Sequence, residues 1–277
     1  MMLLNFLLLW TTYFLCYTLR KPLSIYKVYI ESEFHLSPSQ LGWIDVALLL
    51  PYSLVQIFGA AFWDTFKPNF VILINLSLAA IATLLMALTH EFHLFLALVA
   101  LSGAAQGPLW PACIKAMPDK NMATHVGLLG TAPYMGASFS ASLVSYVADH
   151  HGWRHSIVPI AVPCFLASFA VYHFLKVPTH PVEKSKIHRE PVKELLYMPG
   201  VIQLILSVFL LKFSRYSFHM WLPIYLVQGL SFTMMEAGVG STAFHIGAAL
   251  GGPLVGFWVD KTHNKYDCKS VFYHFSV

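Results

Sequence analysis

Charge is what this chain of 277 residues has least of: Asp, Glu, Lys and Arg make up 11% of it, against 57% hydrophobic residues. That balance excludes a water-soluble globule, because no single core could hide so much apolar surface; an all-α polytopic membrane protein remains. Acids are the scarcer charges, 13 against 17 lysines and arginines. Cysteine is scarce too. Cys16, Cys113, Cys164 and Cys268 lie far apart, the first three within apolar runs, and there is no CxxC pair. A disulfide framework or zinc pattern is thereby excluded, and packing roles remain. No P-loop, nucleophile elbow or HExxH helix is present, so no catalytic residue, metal or cofactor is expected. DHHGWRH, from Asp149 to His155, is rich in histidine, but it forms a short loop without a helical ligand spacing. The first apolar run lacks a basic n-region and a small-residue cleavage site, so it reads as a helix rather than a removed leader.

What is abundant is apolar sequence in lengths that cross a lipid bilayer, about 20 residues each. Eight such runs cover 5–28, 42–63, 70–89, 93–117, 124–148, 155–176, 198–227 and 234–259. Basic loops are retained in the cytoplasm. With a cytoplasmic N-terminus, the inner loops and tail hold Lys67, Lys115, Lys120, Lys176, Lys184, Lys186, Arg189, Lys193, Lys261, Lys265 and Lys269, whereas the outer loops hold only Arg154. The formal net charge of +4 is this retention signal and not affinity for nucleic acid. Five cations stand in or beside the runs: Arg20, Lys21, Lys27, Lys212 and Arg215.

The polar stretch 177–197, rich in Pro, Lys, Glu and His, divides an N-terminal six-helix bundle (1–176) from two further helices (198–259) and a cytoplasmic tail (260–277). The two parts share a pattern. QLGWIDVALLLPYSLVQIFGAAFWD, ending at Asp64, overlays EAGVGSTAFHIGAALGGPLVGFWVD, ending at Asp260, with Gly42 on Gly238. Arg20 and Arg215 correspond one position out of that register. Repeats in the same order imply two halves about an axis along the membrane normal, with a site near the midplane where they meet.

Arg20 admits two readings. Either the first helix ends near Leu19 and Arg20 and Lys21 reach the headgroups, or it runs on to about Val28 and buries Arg20. The second reading gains from the stripe Tyr13, Tyr17, Arg20, Ser24 and Lys27, and from Pro22, which bends the helix just past Arg20. Arg215 lies at the centre of its run, where an arginine costs roughly 2.5–3.5 kcal/mol on insertion scales. Lys212, Arg215 and His219 share its helical face. An interhelical salt bridge is the plain alternative, yet Asp45 is the one acid within reach of the spans. Cations without carboxylates call for an anion, and the guanidinium fork suits phosphate. A membrane enzyme acting on phosphate esters would need a base or nucleophile, but His219 and His245 have no carboxylate to orient them. Asp64 and Asp260 either hold neighbouring helix ends in one conformation, as a switch, or are solvated loop charges. QGPLWPAC and GTAPYMGAS put small residues and prolines inside spans four and five, for close packing or for hinging.

YTLRKPLSIYK, SPSQLGW, QGPLWPAC, the GWR after helix five and KFSRYSFHMWLPIYL together resemble the organophosphate:phosphate antiporters of the major facilitator superfamily, over nearly the whole chain to about Lys261. The resemblance implies the major facilitator fold, here a complete N-terminal six-helix half plus about two helices of the C-terminal half, truncated relative to the family's twelve. It implies exchange of an organic phosphate, a sugar or glycerol phosphate, for inorganic phosphate by alternating access in a lipid bilayer. It assigns phosphate binding to Arg20 and Arg215 and cavity lining to Tyr13 and Tyr17. Its eukaryotic leaning implies the endoplasmic reticulum membrane. Gln56 and Pro133 stand where bacterial relatives carry a lysine and a histidine, and Thr65 follows Asp64 where a basic residue is usual. The rival expectation is a transport-incompetent truncated isoform or fragment. It would be degraded or would associate, as a homo-oligomer or with a full-length form.

Overall fold

The computed structural model describes residues 2–117, 122–176 and 200–263. The linker 177–197, the tail beyond His263 with Cys268, and the side chain of Asp260 lie outside the described residues. Among these residues there are helices and no strands. In chain order they are α1 (Met2–Arg20), α2 (Pro22–Phe34), α3 (Pro38–Phe58), α4 (Ala60–Trp63), α5 (Pro68–Met86), α6 (Phe92–Gln106), α7 (Leu109–Lys115), α8 (Met122–Leu129), α9 (Ala132–His151), α10 (Val158–Phe174), α11 (Val201–Ile224) and α12 (Met234–His263). A 3₁₀ turn, His155–Ile157, leads into α10, and a π turn, Tyr225–Gly229, extends α11.

These segments make eight alternating crossings. The side-chain bonds between their ends obey that alternation. On the face where the chain begins, Asn5 donates to the Lys176 carbonyl at 2.6 Å and Lys115 pairs with Asp64 at 2.7 Å. On the opposite face, Arg154 pairs with Glu33 at 2.8 Å and Gln228 donates to Glu31 at 2.6 Å. Five helical stretches are long and apolar enough to span a bilayer by themselves: Pro38–Phe58, Pro68–Met86, Phe92–Lys115, His155–Phe174 and Val201–Gly229. In the fifth crossing α9 packs on both α1 of the first and α12 of the eighth.

Two sequence boundaries shift. The first crossing continues past Val28 to Phe34, where His35, in the left-handed region at φ 51°, ends it. The second begins at Pro38 rather than 42, because Ser37 and Gln40 form a reciprocal capping box in front of it.

Three crossings are broken beside a proline. Lys21 and Pro22 separate α1 from α2, Gly107 and Pro108 separate α6 from α7, and Gly130–Thr131 with Pro133 separate α8 from α9. Proline lacks the N–H that would continue the ladder, so each break frees backbone polar groups, which a membrane interior tolerates only against protein or a cavity. Packing around the breaks is close. A Cβ on Gly136 would strike the carbonyl of Phe14, and one on Gly103 that of Leu48, so α9 lies backbone to backbone on α1 and α6 on α3. Cys16, Cys113 and Cys164 are buried and unpaired, as packing residues are. The two helices after the linker divide their contacts, α11 lying against α2 and α12 against α8 and α9. Residues 202–214 of α11 are all exposed, whereas every residue from Cys16 to Lys27 is buried.

Candidate functional site

The three proline breaks converge. Arg20 is the last residue of α1, and it points at the α6–α7 break, where its Nε donates to Gln106 Oε1 at 2.9 Å. Gln106 is held in that orientation by its own amide, which donates to Ser102 Oγ at 3.1 Å. The guanidinium carbon of Arg20 lies 4.4 Å from the ring centre of Tyr52, which follows Pro51 in α3, and 4.9 Å from that of Tyr17. Arg215, from α11, lies 4.6 Å from the ring centre of Tyr134, beside the α8–α9 break, and 5.8 Å from that of Tyr17. Tyr17 is therefore shared by both guanidinium groups.

The hydrogen bonds between the halves are crossed. Arg20 Nη1 donates to the hydroxyl of Tyr216, the neighbour of Arg215, at 3.3 Å. Arg215 Nη2 donates to the hydroxyl of Tyr17, one turn before Arg20, at 3.4 Å. Lys21, wholly buried, adds a third link by donating to the backbone carbonyl of His219 at 2.9 Å. Among the described residues none of these three cations forms an ion pair; Asp45, the acid closest to the spans' interior, is taken by Lys27 at 2.7 Å. That pair is buried at its lysine end and covered by Trp221, whose ring centre is 4.0 Å from Lys27 Nζ.

Aromatic faces and neutral oxygens offset only part of the charge held here. A desolvated cation–π contact is worth about 2 kcal/mol, whereas taking an ion out of water costs several. The centre thus holds positive charge in excess, with hydrogen-bond donors aimed inward and weak neutral acceptors on them. An anion placed here would meet these donors and offset that charge.

Of the residues singled out from sequence, Arg20, Arg215, Tyr17 and His219 come together here. Tyr13 is buried one turn below, its ring 5.6 Å from that of Tyr17 and 4.7 Å from that of Trp110. Lys212 lies at the edge, within electrostatic reach of Arg215, Tyr17 and Arg20. Although it shares a helical face with Arg215 and His219, it is exposed, because α11 leaves its neighbours toward the face where the chain begins. Asp64 is far from the centre, exposed and paired with Lys115, and the side chain of Asp260 lies outside the described residues. Gln56 donates to the hydroxyl of Tyr52 at 2.8 Å, and Pro133 is buried at the start of α9. Sequence reasoning missed Lys21, Tyr52, Gln106, Tyr134 and Tyr216. One signal would have found four of them: Lys21, Tyr52, Gln106 and Tyr134 are polar residues within two positions of an intramembrane proline.

An apolar cavity of about 600 Å³ opens nearer the opposite face, between the α2–α3 corner and α11, lined by Leu41, Phe218, Trp221 and Tyr225. Its lining shares no residue with the cationic centre.

A family profile described as the Major Facilitator Superfamily matches residues 9–271. The D-galactonate transporter of Escherichia coli O6:H1 is 22% identical over 286 residues, which cover 92% of this chain and 66% of that protein. Putative glycerol-3-phosphate transporter 5 of Arabidopsis thaliana is 24% identical over 271 residues, covering 80% of this chain and 55% of that one. Among solved structures, a bacterial homolog of the human lysosomal transporter Spinster, inward-facing and unoccupied, superposes with a TM-score of 0.75 at 18% identity, over 95% of this chain and 63% of that chain. The chain therefore spans about two thirds or less of the length of the relatives it matches.

Proposed function

The chain belongs to the Major Facilitator Superfamily, and from that premise we propose that it is a transporter exchanging an organic phosphate, a sugar or glycerol phosphate, for inorganic phosphate by alternating access. The observation that carries this reading is the pair of guanidinium groups, one from the first crossing and one from the seventh, that share Tyr17 and have no carboxylate partner. A phosphate dianion offers oxygens enough for both forks at once. Two of the names among its relatives fit the same chemistry, since galactonate and glycerol phosphate are both polyols ending in an anion. Phosphate is favoured over carboxylate because two arginines and Lys21 supply more positive charge than one carboxylate offsets.

In this reading, Arg20 and Arg215 bind the phosphate, Tyr13, Tyr17 and His219 line the cavity, and Lys212 meets the anion on the way in. The like charges of Arg20 and Arg215 repel in a poorly screened interior, and their bonds to Tyr216 and Tyr17 link the two halves there against that repulsion. The anion draws both guanidinium groups onto itself and lets the halves rock about it, so exchange is favoured over net flow. The six-helix bundle and the helices after the linker act as the two moving bodies. Asp64, through Lys115, and Asp260 steady the helix ends on the cytoplasmic side, where the N-terminus also lies. The basic loops support that orientation, and the resemblance to eukaryotic exchangers supports residence in the endoplasmic reticulum.

Reconstituted protein with unlabelled phosphate inside the vesicles and labelled phosphate outside gives the test. Uptake by the chain, lost in Arg215→Ala and largely lost in Arg215→Lys, is the expected result; uptake that survives Arg215→Ala overturns the two-arginine site. A second reading, a transport-incompetent form that associates with further helices, draws on the exposed stretch 202–214, where Gln203, Lys212 and Ser214 stand at membrane depth beside apolar neighbours. Full insertion with no uptake is its expected result.

A further inference from the structure

The seventh and eighth crossings each bring a histidine to the edge of the cationic centre, and the exchange mechanism leaves the second of them without a role. His219 of α11 and His245 of α12 are 3% and 2% exposed. Their rings meet edge to face, with centres 5.3 Å apart. Nε2 of His219 and both ring nitrogens of His245 are buried without a hydrogen-bond partner. A buried polar atom left unsatisfied costs about 1–3 kcal/mol, so three of them at one place on two helices are a costly arrangement for a purely structural core. The pair is also one aromatic ring away from each guanidinium. His219 lies edge-on to Tyr17, at 6.1 Å, and His245 stands 6.2 Å from Tyr134, the ring under Arg215.

The surroundings narrow what these nitrogens can hold. Lys21 is bonded to the carbonyl of His219, and Arg20 and Arg215 lie over the adjoining tyrosines. A metal cation would sit among three positive groups with no carboxylate or thiolate to complete its shell, the described residues containing no cluster of three such ligands. The anion itself has stronger donors in the arginines. A neutral imidazole offers one donor and one acceptor, and the group that matches it on both counts is a hydroxyl.

We infer that His219 and His245 form a hydroxyl-reading subsite, which takes the polyol part of an organic phosphate while its phosphate lies between Arg20 and Arg215; the inference rests on the exchange reading above. Inorganic phosphate held by the arginines has no carbon chain to reach this pair, so the histidines separate the two exchanged species. A site built to bond a hydroxyl also discriminates against an analogue that lacks it, since its buried nitrogens then stay unsatisfied.

The test compares unlabelled glycerol 3-phosphate with propyl phosphate, equal in charge and chain length but without hydroxyls, as inhibitors of labelled phosphate uptake into phosphate-loaded proteoliposomes. The chain should favour glycerol 3-phosphate. His245→Phe and His219→Phe, which keep ring shape, should each lower that preference by about twofold to tenfold, the loss of one neutral hydrogen bond. His245→Asn, which replaces the imidazole by an amide that also donates and accepts, should retain part of it and guards against a Phe variant that fails to insert. Phosphate uptake with equal inhibition by both compounds, or a preference unchanged in the inserted histidine variants, overturns the subsite alone. No phosphate uptake by the unaltered chain overturns the exchange reading and the subsite with it.

Discussion

Two groups of buried cations stand on the same crossing, less than two helical turns apart, and they are treated in opposite ways. Lys27 has Asp45 at 2.7 Å and the face of Trp221 beneath it, so its charge is closed off within the protein. Arg20 and Lys21, equally buried, have a side-chain amide, a phenol and a backbone carbonyl, and no acid. A fold that needed only to hide these charges would have used the first solution in both places. The difference separates a structural lock near the opposite face from a centre left with uncompensated charge.

The comparison breaks most visibly if the lock is opened. Asp45→Asn leaves Lys27 buried without a counter-charge and should destabilise the protein by about 3 kcal/mol or more, read as a lower unfolding temperature in detergent. Adding Lys27→Met to that variant should restore most of the loss, since no charge then remains to be compensated. Lys21→Met sharpens the contrast from the other side: it removes an unpaired charge, so the unfolding temperature should rise while phosphate counterflow falls. A fall in both would mean that Lys21 is structural. The smallest effect belongs to Asp64→Asn. Its partner Lys115 is exposed, and a surface pair is worth under about 1 kcal/mol, so unfolding should barely move.

The sequence made much of the architecture readable. Apolar runs of membrane length marked the crossings, and Pro22, with the stripe from Tyr13 to Lys27, marked a buried continuation of the first. The repeated pattern paired Arg20 with Arg215 before any contact was known. What could not be read was partnership between helices. Spacing along one helix places Lys27 beside Arg20, but that Asp45 reaches the first and not the second is decided by α3 crossing α2. The exposure of Lys212 was unreadable for a related reason: a helical stripe gives the side of a helix and not how far its neighbours extend along it. Tyr52 and Tyr134 went unremarked because aromatic residues crowd every crossing, and only the neighbouring prolines set these two apart.

The crossed bonds of Tyr17 and Tyr216 give each guanidinium a phenol from across the molecule. Under the exchange reading proposed above, an anion would therefore not fill a void; it would displace an internal competitor, and on leaving be displaced in turn. Affinity is then a difference between two sets of bonds rather than the sum of one. A carrier built this way can hold its cargo by many contacts and still let go of it quickly.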